Sequence, residues 1–138
     1  MARIVVVEDS KLMQTLLRRM LERAGHEVDL WEDITAMEVG GRITETPPDL
    51  LITDYSMPGC NGLTVAKMAR KAKPDLPVVV VTATHDPAVL EALTKQEVTC
   101  ILHKPLQEAE LLAALAEAMA AGAEGSKAEP EGSGSDPV

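Results

Sequence analysis

Apolar residues along this chain fall into two alternating rhythms: short unbroken aliphatic runs, and longer stretches in which they recur every three or four positions. Residues 4–7, Ile-Val-Val-Val, form such a run. A strand open to water on one side would alternate with polar residues, so this run predicts a strand buried on both faces. Residues 11–24 follow, with Leu12, Met13, Leu16, Leu17, Met20 and Leu21 spaced as one helical stripe. Ser10 stands where a side-chain oxygen can cap the first turn, and Gly25 where a left-handed terminator is wanted. The alternation continues, with strands at 28–31, 50–53, 78–82 and 99–102 and helices at 34–44, 62–72, 87–95 and 107–120. Asp86 can cap the short fourth helix, with Pro87 at its tolerated first position. In the third helix Leu63, Ala66 and Ala69 or Arg70 set the stripe; in the last, Leu111, Leu112, Leu115 and Met119 face inward.

Strands alternating with helices in this way predict an α/β fold, a doubly wound five-stranded parallel sheet flanked by five helices. In such sheets ligands gather outside the carboxyl ends of the strands, where the strand order reverses. The residues at those ends are Glu8 and Asp9 after the first strand and Asp54 after the third. Thr82 ends the fourth, with Ala83 and Thr84 behind it, and the fifth runs into His103, Lys104 and Pro105. Residues 55–61, dense in Ser, Pro, Gly and Asn, read as a loop beside Asp54. Three carboxylates, a hydroxyl and an ammonium thus share one rim.

Composition narrows the classes of function. From Gly122 onward the chain is rich in Gly, Ser, Pro and acid and carries one large aliphatic residue, the terminal Val138. Residues 1–121 are therefore expected as one domain, and 122–138 as an acidic disordered tail that buries too little to offset its ordering entropy. The net charge of −9, with scattered Lys and Arg, argues against a nucleic-acid binder. Trp31 and Tyr55 are the only aromatic residues, too few for base stacking. Acid at residue 8 arrives too soon for a signal peptide, and no apolar run nears the roughly 18 residues of a membrane span. A cytoplasmic protein with no membrane partner is the expectation. Cys60 and Cys100 make neither a disulfide framework nor a four-ligand zinc site.

Crowded carboxylates raise one another's pKa, and a cation relieves the repulsion. An all-oxygen, partly hydrated site suits Mg²⁺, whereas zinc lacks His or Cys at ligand spacing. Asp54, at a strand end on a Pro/Gly-rich loop, can present an oxygen as nucleophile to a phosphoryl group. Thr82 with nearby backbone N–H and Lys104 can then hold phosphoryl oxygens, giving an aspartyl phosphate. Lys104-Pro105 is a bond at which a cis peptide is accessible. Glu8-Asp9 alone would read as turn or cap residues; their occurrence with Asp54, Thr82 and Lys104 reverses that reading. His85 and His103 read as bystanders near the rim, and His26 as an exposed turn residue. Met13, Met20, Met68 and Met119 read as core filler. Arg18, Arg19 and Arg23 form a solvated face, with docking to an acidic or helical partner as the functional alternative.

Val-Val-Glu-Asp-Ser, then Ile-Thr-Asp-Tyr-Ser-Met-Pro-Gly-Cys-Asn-Gly, then Val-Val-Thr-Ala and Leu-His-Lys-Pro, in this order over residues 1–121, resemble the receiver domain of bacterial two-component response regulators, the CheY-like type. The resemblance implies that Asp54 accepts a phosphoryl group from a sensor histidine kinase or phosphotransfer protein. It implies Mg²⁺ held by Glu8 (through water), Asp9, Asp54 and the backbone carbonyl of Ser56, with Thr82 and Lys104 on the phosphoryl oxygens. Thr82 would then move inward to couple phosphorylation to the surface. Two positions depart from the family pattern: Ile101 replaces its switch aromatic, and Leu106 replaces the Phe after Lys-Pro. The switch positions are Thr82, Ala83 and Ile101; since Ile101 has no ring to swing, the switch is expected to run through the loop after Thr82 and the short fourth helix. The implied function is a single-domain response regulator, not an enzyme beyond its own phosphoryl transfer and dephosphorylation. Its output would be partner binding at the face of the fourth helix, fifth strand and fifth helix; a homodimer through the fifth helix stays open. The alternative is a degenerate receiver acting as a constitutive interaction module. An aspartyl-phosphate phosphatase would call for an Asp-x-Asp pair, and position 56 is Ser.

Overall fold

The computed structural model describes residues 2–32, 34–57 and 60–127. Its elements in chain order are β1 (Arg3–Val7), α1 (Lys11–Arg23), β2 (Glu27–Trp31), α2 (Ala36–Glu45) and β3 (Leu50–Asp54), then the short β4 (Ser56–Met57) and β5 (Cys60–Asn61). These are followed by α3 (Gly62–Ala72), β6 (Val78–Thr82), α4 (Pro87–Lys95), β7 (Cys100–His103) and α5 (Glu108–Lys127). The five long strands form one sheet in the order β2-β1-β3-β6-β7, every pair parallel. β4 and β5 pair antiparallel as a small ribbon within the segment expected to be a loop.

Unbroken apolar strands follow from helices on both faces. Ile4 and Val6 of β1 pack with Leu17, Leu21, Leu111 and Leu115 of α1 and α5. Val5 and Val7 pack on the opposite face with Val39, Ile43, Val65, Ala69 and Leu93 of α2, α3 and α4. The chain leaves β1 toward β2 on one side and later returns to β3 on the other. The order thus reverses between β1 and β3, so the ends of these two strands flank the crevice where doubly wound sheets bind ligands.

The expected caps are present. Ser10 Oγ accepts from Met13 N at 3.3 Å, and Asp86 Oδ1 accepts from Ala88 N at 3.0 Å. Gly25 adopts φ +94°, a conformation that only glycine reaches without strain.

Four details differ from the sequence expectation. Leu12 is 77% exposed, because it lies about 140° around α1 from the buried Leu17 at 100° per residue. The inward position is taken by Gln14. His26 is half-buried and accepts from Ala2 N at 3.2 Å, tying the turn after α1 to the start of β1. Arg23 binds Glu108 through two contacts, at 3.1 and 2.6 Å, so it clamps α1 to α5 instead of standing as a free docking charge. The backbone of α5 runs to Lys127, past Ala120 and into the segment that composition assigns to the tail. Alanines at 118, 120, 121 and 123 supply enough helix propensity to carry it beyond Gly122. The rest of that segment lies outside the described residues. Among those described, no helix is long and apolar enough to cross a membrane.

Leu21 and Leu12 make a matched pair for testing this packing. Leu21→Ala is expected to lower unfolding free energy by about 2–5 kcal/mol, and Leu12→Ala to stay within about 0.5 kcal/mol of the parent. Urea denaturation of both variants measures the difference, and equal effects would contradict the placement of α1.

Candidate functional site

Each side chain at the rim is placed by the strand that ends beneath it. Glu8 extends β1 by one residue, its N–H donating to Trp31 O at 3.3 Å. Its side chain is 2% exposed, its Oε2 accepts from Ser10 N at 3.0 Å, and its carbonyl accepts from Gln14 Nε2 at 2.7 Å. Asp9 follows and is exposed. Asp54 is the last residue of β3, paired in register with Val81 of β6, and its side chain is 7% exposed. Thr82 ends β6 one step further on and is buried, its Oγ1 accepting from Thr84 N at 3.0 Å. Lys104 N donates to Thr82 O at 2.8 Å, which fixes the start of the β7–α5 connection beside the β6 end. The Lys104–Pro105 peptide is cis. Lys104 Nζ lies 3.3 Å from Asp54 Oδ2, across 50 residues of sequence.

Glu8, Asp9 and Asp54 each offer a carboxylate oxygen, and these three oxygens all lie within 4.8 Å of one another. Burial is the main cause that raises the Glu8 pKa above its ordinary 4.5. The Ser10 N–H opposes that rise, the Asp54 charge adds to it, Lys104 lowers it and Asp9 adds to it again. A carboxylate cluster with two buried members, an exposed third and one ammonium at its edge can hold a hard cation. Its donors are all oxygen, a set that fits Mg²⁺ and disfavours softer metals.

The structure thus brings Glu8, Asp9, Asp54 and Lys104 together and puts Thr82 on the neighbouring strand end. Ser56 lies two residues after Asp54, exposed, in β4. Ala83 is exposed behind Thr82, whereas Ile101 is half-buried and packs into the layer of α2, α3 and α4.

Two residues that hold the site are not singled out by the sequence pattern. Gln14 is a polar side chain at an inward position of α1, where it pins the Glu8 carbonyl; a polar break in an apolar stripe is the signal that marks it. Gly62 opens α3 against the backbone next to Asp54, its N–H donating to Tyr55 O at 2.7 Å. A Cβ there would meet Asp54 O and Tyr55 Cα, each at 2.8 Å, so only glycine lets α3 approach so closely.

Comparisons with known proteins agree with this geometry. The family described as response regulator receiver domain matches residues 4–116. The sensory/regulatory protein RpfC of Xanthomonas campestris pv. campestris is 34% identical over 119 residues, a match covering 83% of this chain and 16% of that protein. The response regulator MprA of Mycobacterium avium is 34% identical over 113 residues, covering 82% of this chain and 49% of the relative. The chain thus spans about half the length of the mycobacterial relative and far less of the other. A crystal structure of a response regulator receiver domain protein from Clostridium thermocellum superposes with a TM-score of 0.76 at 25% identity, covering 87% of this chain and 95% of that one. A five-stranded parallel sheet with an acidic crevice at its switch point is the receiver class of α/β signalling domain. This chain belongs to the response regulator receiver domain family of two-component systems.

Two outcomes follow from the site's electrostatics and packing. In the metal-free protein the raised Glu8 pKa means that the protonated acid favours the folded state. That contribution is complete below the ordinary 4.5 and is lost as pH rises through the raised folded value. Glu8→Gln, which keeps an oxygen for Ser10 N, is expected to raise the metal-free Tm at pH 7 and to flatten the pH–stability profile; a lower Tm contradicts this. Gly62→Ala is expected to cost about 1–3 kcal/mol by overpacking against the Asp54–Tyr55 backbone. A denaturation midpoint unchanged from the parent would show that α3 does not press on that backbone.

Proposed function

We propose that this chain is a phosphorylation-controlled binding module in which Asp54 accepts a phosphoryl group from the phosphohistidine of a sensor histidine kinase or phosphotransfer protein. The observation that carries the reading is the meeting of Asp54 with Glu8 and Asp9 on one side and Lys104 on the other. A carboxylate oxygen of Asp54 forms a bond to phosphorus while the donor's phosphorus–nitrogen bond breaks and its electron pair leaves on the imidazole. Water later attacks the aspartyl phosphate and returns the carboxylate and inorganic phosphate. Glu8, Asp9, Asp54 and the backbone carbonyl of Ser56 would hold Mg²⁺, which when bound neutralises charge on the carboxylates and the phosphoryl oxygens.

This chain's own groups do the rest. Lys104 exchanges its contact with Asp54 for a phosphoryl oxygen, so the ammonium stabilises charge where it develops. The Thr82 hydroxyl, already oriented by Thr84 N, turns to a second phosphoryl oxygen and draws the loop with it. The receiver unit spans residues 1–121 and acts in the cytoplasm. Its output is a change of affinity for a protein partner at the face of α4, β7 and α5. Such a modification shifts a two-state surface only by its differential energy in the two states. With no Asp-x-Asp pair at the acceptor, the unit is not a turnover phosphatase; its chemistry ends with its own phosphate.

Incubation with acetyl phosphate and Mg²⁺, followed by intact mass, tests the reading. One phosphoryl adduct is expected, absent in Asp54→Asn and in chelator, and slowed in Lys104→Ala. No adduct with acetyl phosphate or with a partner kinase would leave a constitutive interaction module instead.

A further inference from the structure

Two imidazoles stand on the same rim and take no part in the chemistry above. His85 lies in the loop between Thr82 and Asp86, the residue that caps α4; His103 is the last residue of β7, next to Lys104. Their rings stack, with centroids 4.5 Å apart and planes 8° from parallel. Parallel rings aim their nitrogen lone pairs along their own planes and not at a shared point, so the pair is a contact and not a chelate. Register places His103 opposite Thr82, and Lys104 N donates to Thr82 O. A closed circuit results: Thr82, two residues of loop, His85, the stacked His103, Lys104, and back to Thr82. Both residues assigned to the phosphoryl oxygens lie on that circuit.

The remaining ties of the loop are local. Thr84 N donates to Thr82 Oγ1 at 3.0 Å, Asp86 N to Thr84 Oγ1 at 3.1 Å, and Ala88 N to Asp86 Oδ1 at 3.0 Å. These make the loop and the start of α4 move as a piece with Thr82. Val89 and Leu93 of α4 share an apolar cluster with Ile101 of β7, and the ring stack fastens the loop itself to β7. It is also under tension of a chemical kind, because His103 Nδ1 is buried without a hydrogen-bond partner. A buried polar atom left unpaired is costly, and it regains a partner if the ring leaves the stack. Residues two apart on a strand share a face, so His103 occupies the side of β7 on which Ile101 lacks a ring.

Building on the assignment of Asp54 as phosphoacceptor, we propose that the His85–His103 stack is a latch that holds the β6–α4 loop in its resting position and so sets how readily the site takes a phosphoryl group. His85 and His103 are positioning residues that act through Thr82 and Lys104. An inward movement of Thr82 pulls His85 off His103, so phosphoryl occupancy and the stack exclude each other. Opening the latch brings the competent fraction toward one, and apparent affinity rises by the inverse of the competent fraction at rest.

Acetyl phosphate with Mg²⁺ supplies the reaction rate by intact mass, and beryllium fluoride with Mg²⁺ supplies the affinity for a phosphoryl mimic by calorimetry. His85 is exposed, so truncating it opens no core cavity. His85→Ala and His103→Ala are each expected to speed adduct formation and tighten beryllium fluoride binding by roughly threefold or more. His85→Phe, which keeps a ring for stacking, is expected to stay near the parent rate. A merely structural role would lower Tm without speeding the reaction. An alanine variant no faster than a parent that does form the adduct overturns the latch and leaves Asp54 as acceptor. His85→Phe as fast as His85→Ala likewise overturns it, whereas a parent that forms no adduct removes the phosphoacceptor assignment beneath it.

Discussion

Carboxylates held close together in a water-poor crevice repel, and the fold does nothing to separate them. Glu8 and Asp54 are both buried, with oxygens within 4.8 Å, where two unit charges repel by roughly 3–4 kcal/mol at an effective dielectric near 20. Asp9 is exposed and its share is weakened by water. Lys104 offsets part of the repulsion from Asp54, and the Ser10 N–H offsets part at Glu8. The surplus is what a hard cation would relieve; burial first, and the Asp54 charge after it, make Glu8 hold its proton more tightly than an ordinary glutamate. An arrangement that costs stability without its ion makes sense as a site kept for chemistry.

The parallel sheet makes that crowding possible. Each rim residue lies at the end of a strand whose interior is largely apolar, so the place of its backbone follows from strand pairing. Val5, Val7, Leu51, Val78 and Val80 lock one face, and Ile4, Val6, Leu50, Ile52, Val79 and Val81 the other. Gly62 and Gln14 then trim the last ångströms, one by admitting α3 against Asp54 and the other by pinning the Glu8 carbonyl.

Most of this frame is legible in the amino-acid pattern, because unbroken aliphatic runs and helical stripes obey different periods. α3, β6 and α4 have the bounds that the pattern predicts. The rim residues are legible because strand ends are defined once strands are. Leu12 departs from its stripe because it lies about 140° around α1 from Leu17, while Gln14 takes the inward position in the first turn. The α5 extension is hidden because Gly and acid dominate the composition there, while the run of alanines decides the backbone. Gly62 and the His85–His103 stack are illegible in principle. A close approach of two backbones and a contact between rings 18 positions apart exist only in three dimensions.

The central claim is that the acidic crevice is built around a hard divalent cation, and thermal stability against Mg²⁺ concentration measures it most directly. Ligand linkage predicts a Tm that climbs steadily with the logarithm of Mg²⁺ once the site begins to fill, a climb abolished in Asp9→Asn. A Tm indifferent to Mg²⁺, or one that rises equally in the parent and in Asp9→Asn, would contradict the account.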